Sequence, residues 1–263
     1  MALHVELRGA GPPLVVLHGF TQTGRLWGPF GAALETTHTL VAVDLPGHAG
    51  SDAVRADLPG TAALVTEAVQ DAVGTKPVDL LGYSLGARVA LHVVTGTALE
   101  VDRVVLIGAA GGLEDDAARA RRRAADEAVA AELEASGDVD AFIAQWLRGP
   151  LFARLTALAG AGDGERRRNS AAGLASSLRL CGTGTQEPLW AHLPALDTPL
   201  LALAGADDTR FAAHALRLAG LAPHAVASLV PGGGHAVHLA QPEQTGRIVD
   251  HWLAAGNGAD APS

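Results

Sequence analysis

Six short apolar runs constrain this chain before anything else: Leu14–Leu17, Leu40–Val43, Val78–Leu81, Val104–Ile107, Leu200–Leu203 and Ala225–Val230. Each meets Gly, Pro or Asp within two residues of its end, and none shows sustained alternation of apolar and polar positions. A half-solvated strand alternates, because successive side chains face opposite sides. Continuous apolar runs fit strands covered on both faces. Helix-length segments such as Thr61–Val73 and Ala87–Thr95 lie between them. Strand–helix alternation predicts an α/β chain with a mostly parallel sheet flanked by helices. At 263 residues, 48% of them hydrophobic, the chain can bury a sizeable core as one such unit.

The alternation lapses between residues 111 and 194. That stretch is Ala-rich, with helices expected at Asp115–Ala135, Phe142–Leu147, Leu151–Ala159 and Ser170–Leu180 and loops at Gly160–Gly164 and Cys181–Gln186. The expected organisation is a discontinuous core, 1–110 and 195–255, a helical cap inserted at 111–194, and a small polar frayed tail at 256–263. A net charge of −9 speaks against a nucleic-acid surface or a polybasic membrane patch. No apolar run approaches the ~18 residues of a membrane span. The N-terminus runs straight into the strand-like Leu3–Leu7 without a basic and then apolar leader, so no signal peptide is expected. The single cysteine, Cys181, leaves no intrachain disulfide, which fits a reducing cytoplasm.

The motif with chemical content is Gly82-Tyr83-Ser84-Leu85-Gly86, a G-x-S-x-G pattern between the run Val78–Leu81 and the helix-like Ala87–Thr95. A sharp strand-to-helix turn lifts the Ser hydroxyl beside a helix N-terminus and needs small flanking residues. A Ser nucleophile needs a base, and the base an orienting carboxylate. His235 follows Ala225–Val230 after three glycines, and Asp207 and Asp208 follow Leu200–Leu203. All these sit at strand C-terminal ends, in the chain order Ser…Asp…His. Asp208 is the favoured acid over Asp207. His238 is open to two readings, a helix-face histidine or a pocket residue. His18-Gly19-Phe20 follows Leu14–Leu17, so the backbone N–H groups of Phe20 and Leu85 are the expected oxyanion-hole donors. His48 and Asp52 read as structural. Neither a metal motif nor a dinucleotide fingerprint is present, so no metal is expected. The cap carries ten of the nineteen basic residues, among them the runs Arg121–Arg123 and Arg166–Arg168, and Arg88 lies one turn past Ser84. Arginines solvating an outer helix face are the plain reading. Arginines facing the cleft would suit a polyanionic substrate.

Together these blocks resemble the 2-succinyl-6-hydroxy-2,4-cyclohexadiene-1-carboxylate synthases of menaquinone biosynthesis, a branch of the α/β-hydrolase fold. The resemblance lies in Leu17–Gly24, in Gly82–Arg88, in the cap blocks Gly173–Arg179, Gly182–Gln186 and Leu189-Trp190, and in Gly205–Phe211. Ala87 departs from the Gly expected at that elbow position. The resemblance implies a lyase that expels pyruvate from 2-succinyl-5-enolpyruvyl-6-hydroxy-3-cyclohexene-1-carboxylate without any cofactor. Ser84, His235 and Asp208 would serve as the base, and Phe20 and Leu85 would hold charge developing on a substrate carboxylate. It also implies substrate contacts from Tyr83, Arg88, Arg122, Trp146 and Arg166, and a small anionic substrate as the partner of a monomer or small homo-oligomer. Two other readings stand beside it. One is a serine esterase or carbon–carbon bond hydrolase of the same fold, and the other is a non-catalytic binding protein. An epoxide hydrolase or dehalogenase is disfavoured, because it would need Asp at position 84.

Overall fold

The computed structural model describes residues 2–152, 155 and 163–255. The expected tail at 256–263 and most of the expected helix Leu151–Ala159 lie outside them. Among the described residues seven strands form one sheet: β1 (Val5–Gly9), β2 (Pro13–Leu17), β3 (Thr39–Val43), β4 (Val78–Tyr83), β5 (Val101–Ile107), β6 (Leu200–Gly205) and β7 (Ala225–Val230). Their order is β1-β3-β2-β4-β5-β6-β7. β1 runs antiparallel to β3, and every other pairing is parallel. The chain leaves β2 for β3 on one side and returns to β4 on the other. The crevice at the carboxyl ends of β2 and β4 is therefore the point where strand order reverses, where open α/β sheets bind ligands.

Helices α1 (Gly28–Leu34), α2 (Leu58–Val73) and α3 (Leu85–Gly96) interleave the first strands. Helices α4 (Asp116–Ser136), α5 (Val139–Leu147), α6 (Asp163–Arg166) and α7 (Ala171–Cys181) lie between β5 and β6, and α8 (Thr209–Leu221), α9 (Val237–Ala240) and α10 (Pro242–Ala254) follow. The period-2 alternation of the strands divides the core in two. Val15, Leu17, Val41 and Val43 face the side covered by Val65 and Val69 of α2 and Val89 of α3. Leu14, Val16, Leu40 and Ala42 face Phe30 and Leu34 of α1 and Val249 and Leu253 of α10. Each fully buried aliphatic side chain contributes about 1.5–3 kcal/mol.

The structure corrects the sequence reading in several places. The run Ala225–Val230 is not covered on both faces: Val226 is 50% exposed, and β7 is an edge strand paired only with β6 among the described residues. Helices α2 and α5 each start three residues earlier than expected, because Asp57 caps the first by accepting from the Gly60 N–H and Asp138 caps the second by accepting from the Ala141 N–H. Asp163 and Gly164, expected in a loop, open the single-turn α6.

Candidate active site

The backbone of Ser84 stands at φ +52°, ψ −104°, between the end of β4 and the start of α3. A residue with a side chain held in that region costs about 1–3 kcal/mol and persists only where its surroundings enforce it. Two backbone hydrogen bonds do so: Ser84 N–H donates to the Ile107 carbonyl at 2.8 Å, and Gly86 N–H donates to that of His18 at 3.0 Å. A Cβ on Gly86 would lie 1.9 Å from the Leu17 carbonyl oxygen, so no other residue lets α3 begin this close to β2. The glycine in the motif is thus a steric requirement that aims the Ser84 hydroxyl at the crevice.

The His235 Nε2 lies 2.9 Å from Ser84 Oγ. Its Nδ1 lies 3.2 Å from Asp208 Oδ2, with the ring N–H too poorly aimed to count as a formed hydrogen bond. Proximity alone pairs the two groups here. Asp208 also caps α8, its Oδ1 accepting from the Phe211 N–H at 3.2 Å. Burial opposes ionisation of Asp208, but His235, the Phe211 N–H and the Arg210 charge outweigh it and hold the carboxyl below its usual range. Asp207 is exposed, and its N–H donates to the Gly233 carbonyl. Of the two adjacent acids, then, Asp208 is the one beside His235. A Cβ on Gly205 would meet the Gly233 oxygen at 2.1 Å, so the acid and histidine loops touch backbone to backbone.

The loop after β2 is held just as firmly. His18 is fully buried; its Nδ1 donates to the Gly19 carbonyl at 2.9 Å and its Nε2 accepts from the Leu45 N–H at 3.0 Å. Those two partners assign the neutral tautomer, and burial pulls the ring down to about 4. Gln22 Oε1 accepts from the Gly19 N–H, and Asp44 accepts from Gly24 and Gly50. Neither the Phe20 N–H, which follows this frame, nor the Leu85 N–H at the start of α3 has a backbone acceptor among the described residues. His48 is fully buried, with Nδ1 on the Pro46 carbonyl. Asp52 accepts from the Ser170 hydroxyl at 2.6 Å, a link from core to insert. His238 is fully buried against the rings of Tyr83, Trp27 and Phe30. Burial pulls His48 and His238 down to about 3.

A pocket opens over the Ser84–His235 pair, and Phe20, Leu85, Arg88, Arg122 and Trp146 line it. The Phe20 ring meets Trp146 edge-on at 5.0 Å. Burial lowers the Arg88 guanidinium to about 10, which leaves it charged at neutral pH. Arg122 donates to Asp126 at 2.8 Å, whereas Arg121 reaches Asp115 and Arg123 donates to the Gly184 carbonyl. Tyr83 and Arg166 do not line this pocket. The Tyr83 ring packs behind the site, 4.3 Å from His238, and Arg166 is buried and donates to Thr21 Oγ1 at 2.5 Å. The neighbours of Arg166 turn elsewhere, Arg167 to Asp140 and Arg168 to Glu165. The residue that sequence reasoning missed is Arg210, which lines the pocket two positions after Asp208. Its place in the first turn of a helix that starts at the site was the available signal. No Asp or Glu lines this pocket among the described residues. No cluster of three or more His, Cys, Asp or Glu among them could hold a metal ion, and no helix among them is long and apolar enough to cross a membrane.

The profile of the alpha/beta hydrolase family matches residues 14–247. The chain is 34% identical to the 2-succinyl-6-hydroxy-2,4-cyclohexadiene-1-carboxylate synthase of Serratia proteamaculans, over 88% of this chain and 89% of that one. It is 33% identical to the enzyme of the same name from Klebsiella pneumoniae, with the same coverage. The structure of MenH from S. aureus superposes with a TM-score of 0.90 at 26% identity, covering 97% of this chain and 99% of that one. The chain therefore belongs to the alpha/beta hydrolase family and, within it, to the 2-succinyl-6-hydroxy-2,4-cyclohexadiene-1-carboxylate synthases.

Proposed function

We propose that this protein expels pyruvate from 2-succinyl-5-enolpyruvyl-6-hydroxy-3-cyclohexene-1-carboxylate to give 2-succinyl-6-hydroxy-2,4-cyclohexadiene-1-carboxylate. The observation that carries the reading is the pocket over Ser84 and His235: three guanidiniums line it and, among the described residues, no carboxylate does, in a chain of net charge −9. Such a lining suits a substrate with several carboxylates.

The chemistry follows from the bonds that change. The proton on ring carbon 2 is acidic because it is allylic and adjacent to the succinyl ketone. Ser84 Oγ removes it while passing its own proton to His235 Nε2, and the Asp208 carboxylate steadies the resulting imidazolium. The C–H electrons become the 2,3 double bond, and the former 3,4 pair moves to 4,5. The bond from carbon 5 to oxygen breaks, and the departing enolpyruvate takes a proton to become pyruvate. In passing, charge delocalises onto the succinyl ketone oxygen, where the Phe20 and Leu85 N–H groups would receive it. A ring carboxylate is not the acceptor, because it sits on a saturated carbon outside the conjugated system. Donors of this kind are worth about 10²–10³-fold each. The insert at 111–194 acts as a lid that carries Arg122 and Trp146. A cytoplasmic protein that is a monomer or small homo-oligomer goes with this reading.

The test is to follow pyruvate release and diene absorbance together on freshly made substrate, with Ser84→Ala as control. Both signals should rise at enzymatic rate and disappear in the variant. Turnover of an ester panel with pyruvate release no faster than the spontaneous rate would instead make the protein an esterase of the same fold.

A further inference from the structure

We propose that Arg210 selects the substrate, its guanidinium holding a side-arm carboxylate at the mouth of the pocket, away from the proton that Ser84 removes. This deepens the elimination reading and rests on it for the identity of the ligand.

The arginines of this protein divide by their partners. Arg25, Arg119, Arg167, Arg179 and Arg217, among others, each reach a carboxylate, and so does the pocket's own Arg122, through Asp126. Arg210 forms neither an ion pair nor a hydrogen bond among the described residues. It is an exposed residue, yet its side chain does not lie free: the guanidinium carbon sits 5.6 Å from the centre of the Phe211 ring. An aromatic support of this kind orients the planar group and leaves its N–H edges open for a carboxylate. The Phe211 ring in turn lies 4.3 Å from that of His235, tilted by 44° to it, so a chain of ring contacts runs from the rim to the candidate base. Both residues line the pocket. The carboxylate nearest in sequence, Asp208, is committed to His235 and to the Phe211 N–H. Arg88 lies one helical turn past Ser84, Arg122 stands on α4 of the insert, both partly buried, and Arg210 is exposed at the rim. Three cations on three different elements correspond to a ligand with three carboxylates spread over a ring and two arms.

The test uses 2-succinyl-5-(1-carboxyvinyloxy)benzoate, an aromatic analogue with all three carboxylates and no removable ring proton. Calorimetry with the full chain should show its Kd rising about tenfold in Arg210→Gln and by less in Arg210→Lys, a loss of the size expected for a charge-assisted contact at a solvated rim. On the substrate, KM should rise about tenfold while kcat falls less than threefold, and kcat/KM should become less sensitive to salt. An unchanged Kd, together with a reduced kcat and a displaced acidic limb of the pH profile, would overturn the proposal and make Arg210 a positioning residue for Asp208. Wild-type protein that binds the analogue but releases no pyruvate would defeat the elimination reading, and the Kd comparison would still decide the role of Arg210.

Discussion

The two walls of the pocket are built by different means. On the core side, Ser84, His235 and the loop of Phe20 are fixed by backbone packed against backbone, as at Gly86 on Leu17 and Gly205 on Gly233. Buried neutral histidines fill the space behind them. On the insert side, α4 and α7 share only a small apolar cluster, Ala130, Ala175 and Leu178. The first turn of α7 ties that side to the core at one point, where the Gly173 and Gly47 backbones meet and where side chains join Ser170 to Asp52 and Asn169 to the Ala49 N–H and the Thr21 carbonyl. Helices α4 and α5, which carry Arg122 and Trp146, have no such anchor among the described glycines. Groups that move protons need sub-ångström placement, which backbone contacts supply. Groups that only present charge tolerate adjustable side-chain contacts. The difference teaches that kcat should belong to the core wall and KM to the insert wall.

The largest test of that division pairs Ser84→Ala with Arg122→Gln. The first should lower kcat by about 10²–10⁴-fold with little change in KM. The second should raise KM by about tenfold and leave kcat within a few-fold, since the role proposed for Arg122 is to bind charge away from the reacting atoms. A kcat loss in Arg122→Gln as large as that in Ser84→Ala would erase the distinction.

Acid should strike the core wall next. His18 is held near 4 and His48 and His238 near 3 in the folded protein, all below the unfolded value of 6.5. Between pH 6.5 and about 4 the unfolded chain therefore binds protons that the native state refuses, so stability falls as pH falls through that window and is flat above it. Asp79, pushed up to about 6 by burial, works in the opposite direction and offsets one proton. The net slope should still be at least about 1.4 kcal/mol per pH unit. Urea midpoints measured from pH 7.5 to 4.5 check this, and a shallower slope would mean these rings are already charged in the folded state.

Smaller effects separate the walls by stability. Gly86→Ala should cost about 1–3 kcal/mol by overpacking α3 on β2, and the equilibrium unfolding midpoint would report it. Ser170→Ala loses the cap of α7 and the link to Asp52, worth about 0.5–2 kcal/mol, and should speed hydrogen exchange in α7 before it lowers the global melting temperature. Equal loss of protection in β4 and α7 would show that the insert and the core unfold as one unit.

Much of the core wall was legible in the chain. The apolar runs found β2 to β6 because burial on both faces leaves a compositional trace, and β7 by its apolar run alone, whereas the partly exposed β1 showed only as the strand-like Leu3–Leu7. The Gly82–Gly86 pattern found the elbow because sterics admit little else there. Asp208 and His235 were legible from their places after two of those runs. The edge exposure of β7 was not, since an apolar run does not say which neighbour is missing. The insert wall was harder to read. Arg121, Arg122 and Arg123 point about 100° apart around α4, and only the helix's packing shows that Arg122 faces the pocket. Tyr83 and Arg166 carry side chains able to bind a carboxylate, but what they touch is set by tertiary contacts no local pattern encodes. Arg210 stands in the first turn of α8, and whether a side chain there meets the pocket or only solvent is set by how the helix packs after β6, which the local sequence does not encode.

The absence of acids from the described lining bears on turnover as a matter of valence. On the proposed reaction a trivalent anion enters, and a monovalent and a divalent anion leave. A lining with three guanidiniums attracts the trivalent species most strongly, so each product is held by fewer contacts than the molecule it came from. Cleavage itself thereby loosens the site's grip on its contents, and the fragment that keeps two carboxylates should be the slower to depart and the stronger inhibitor.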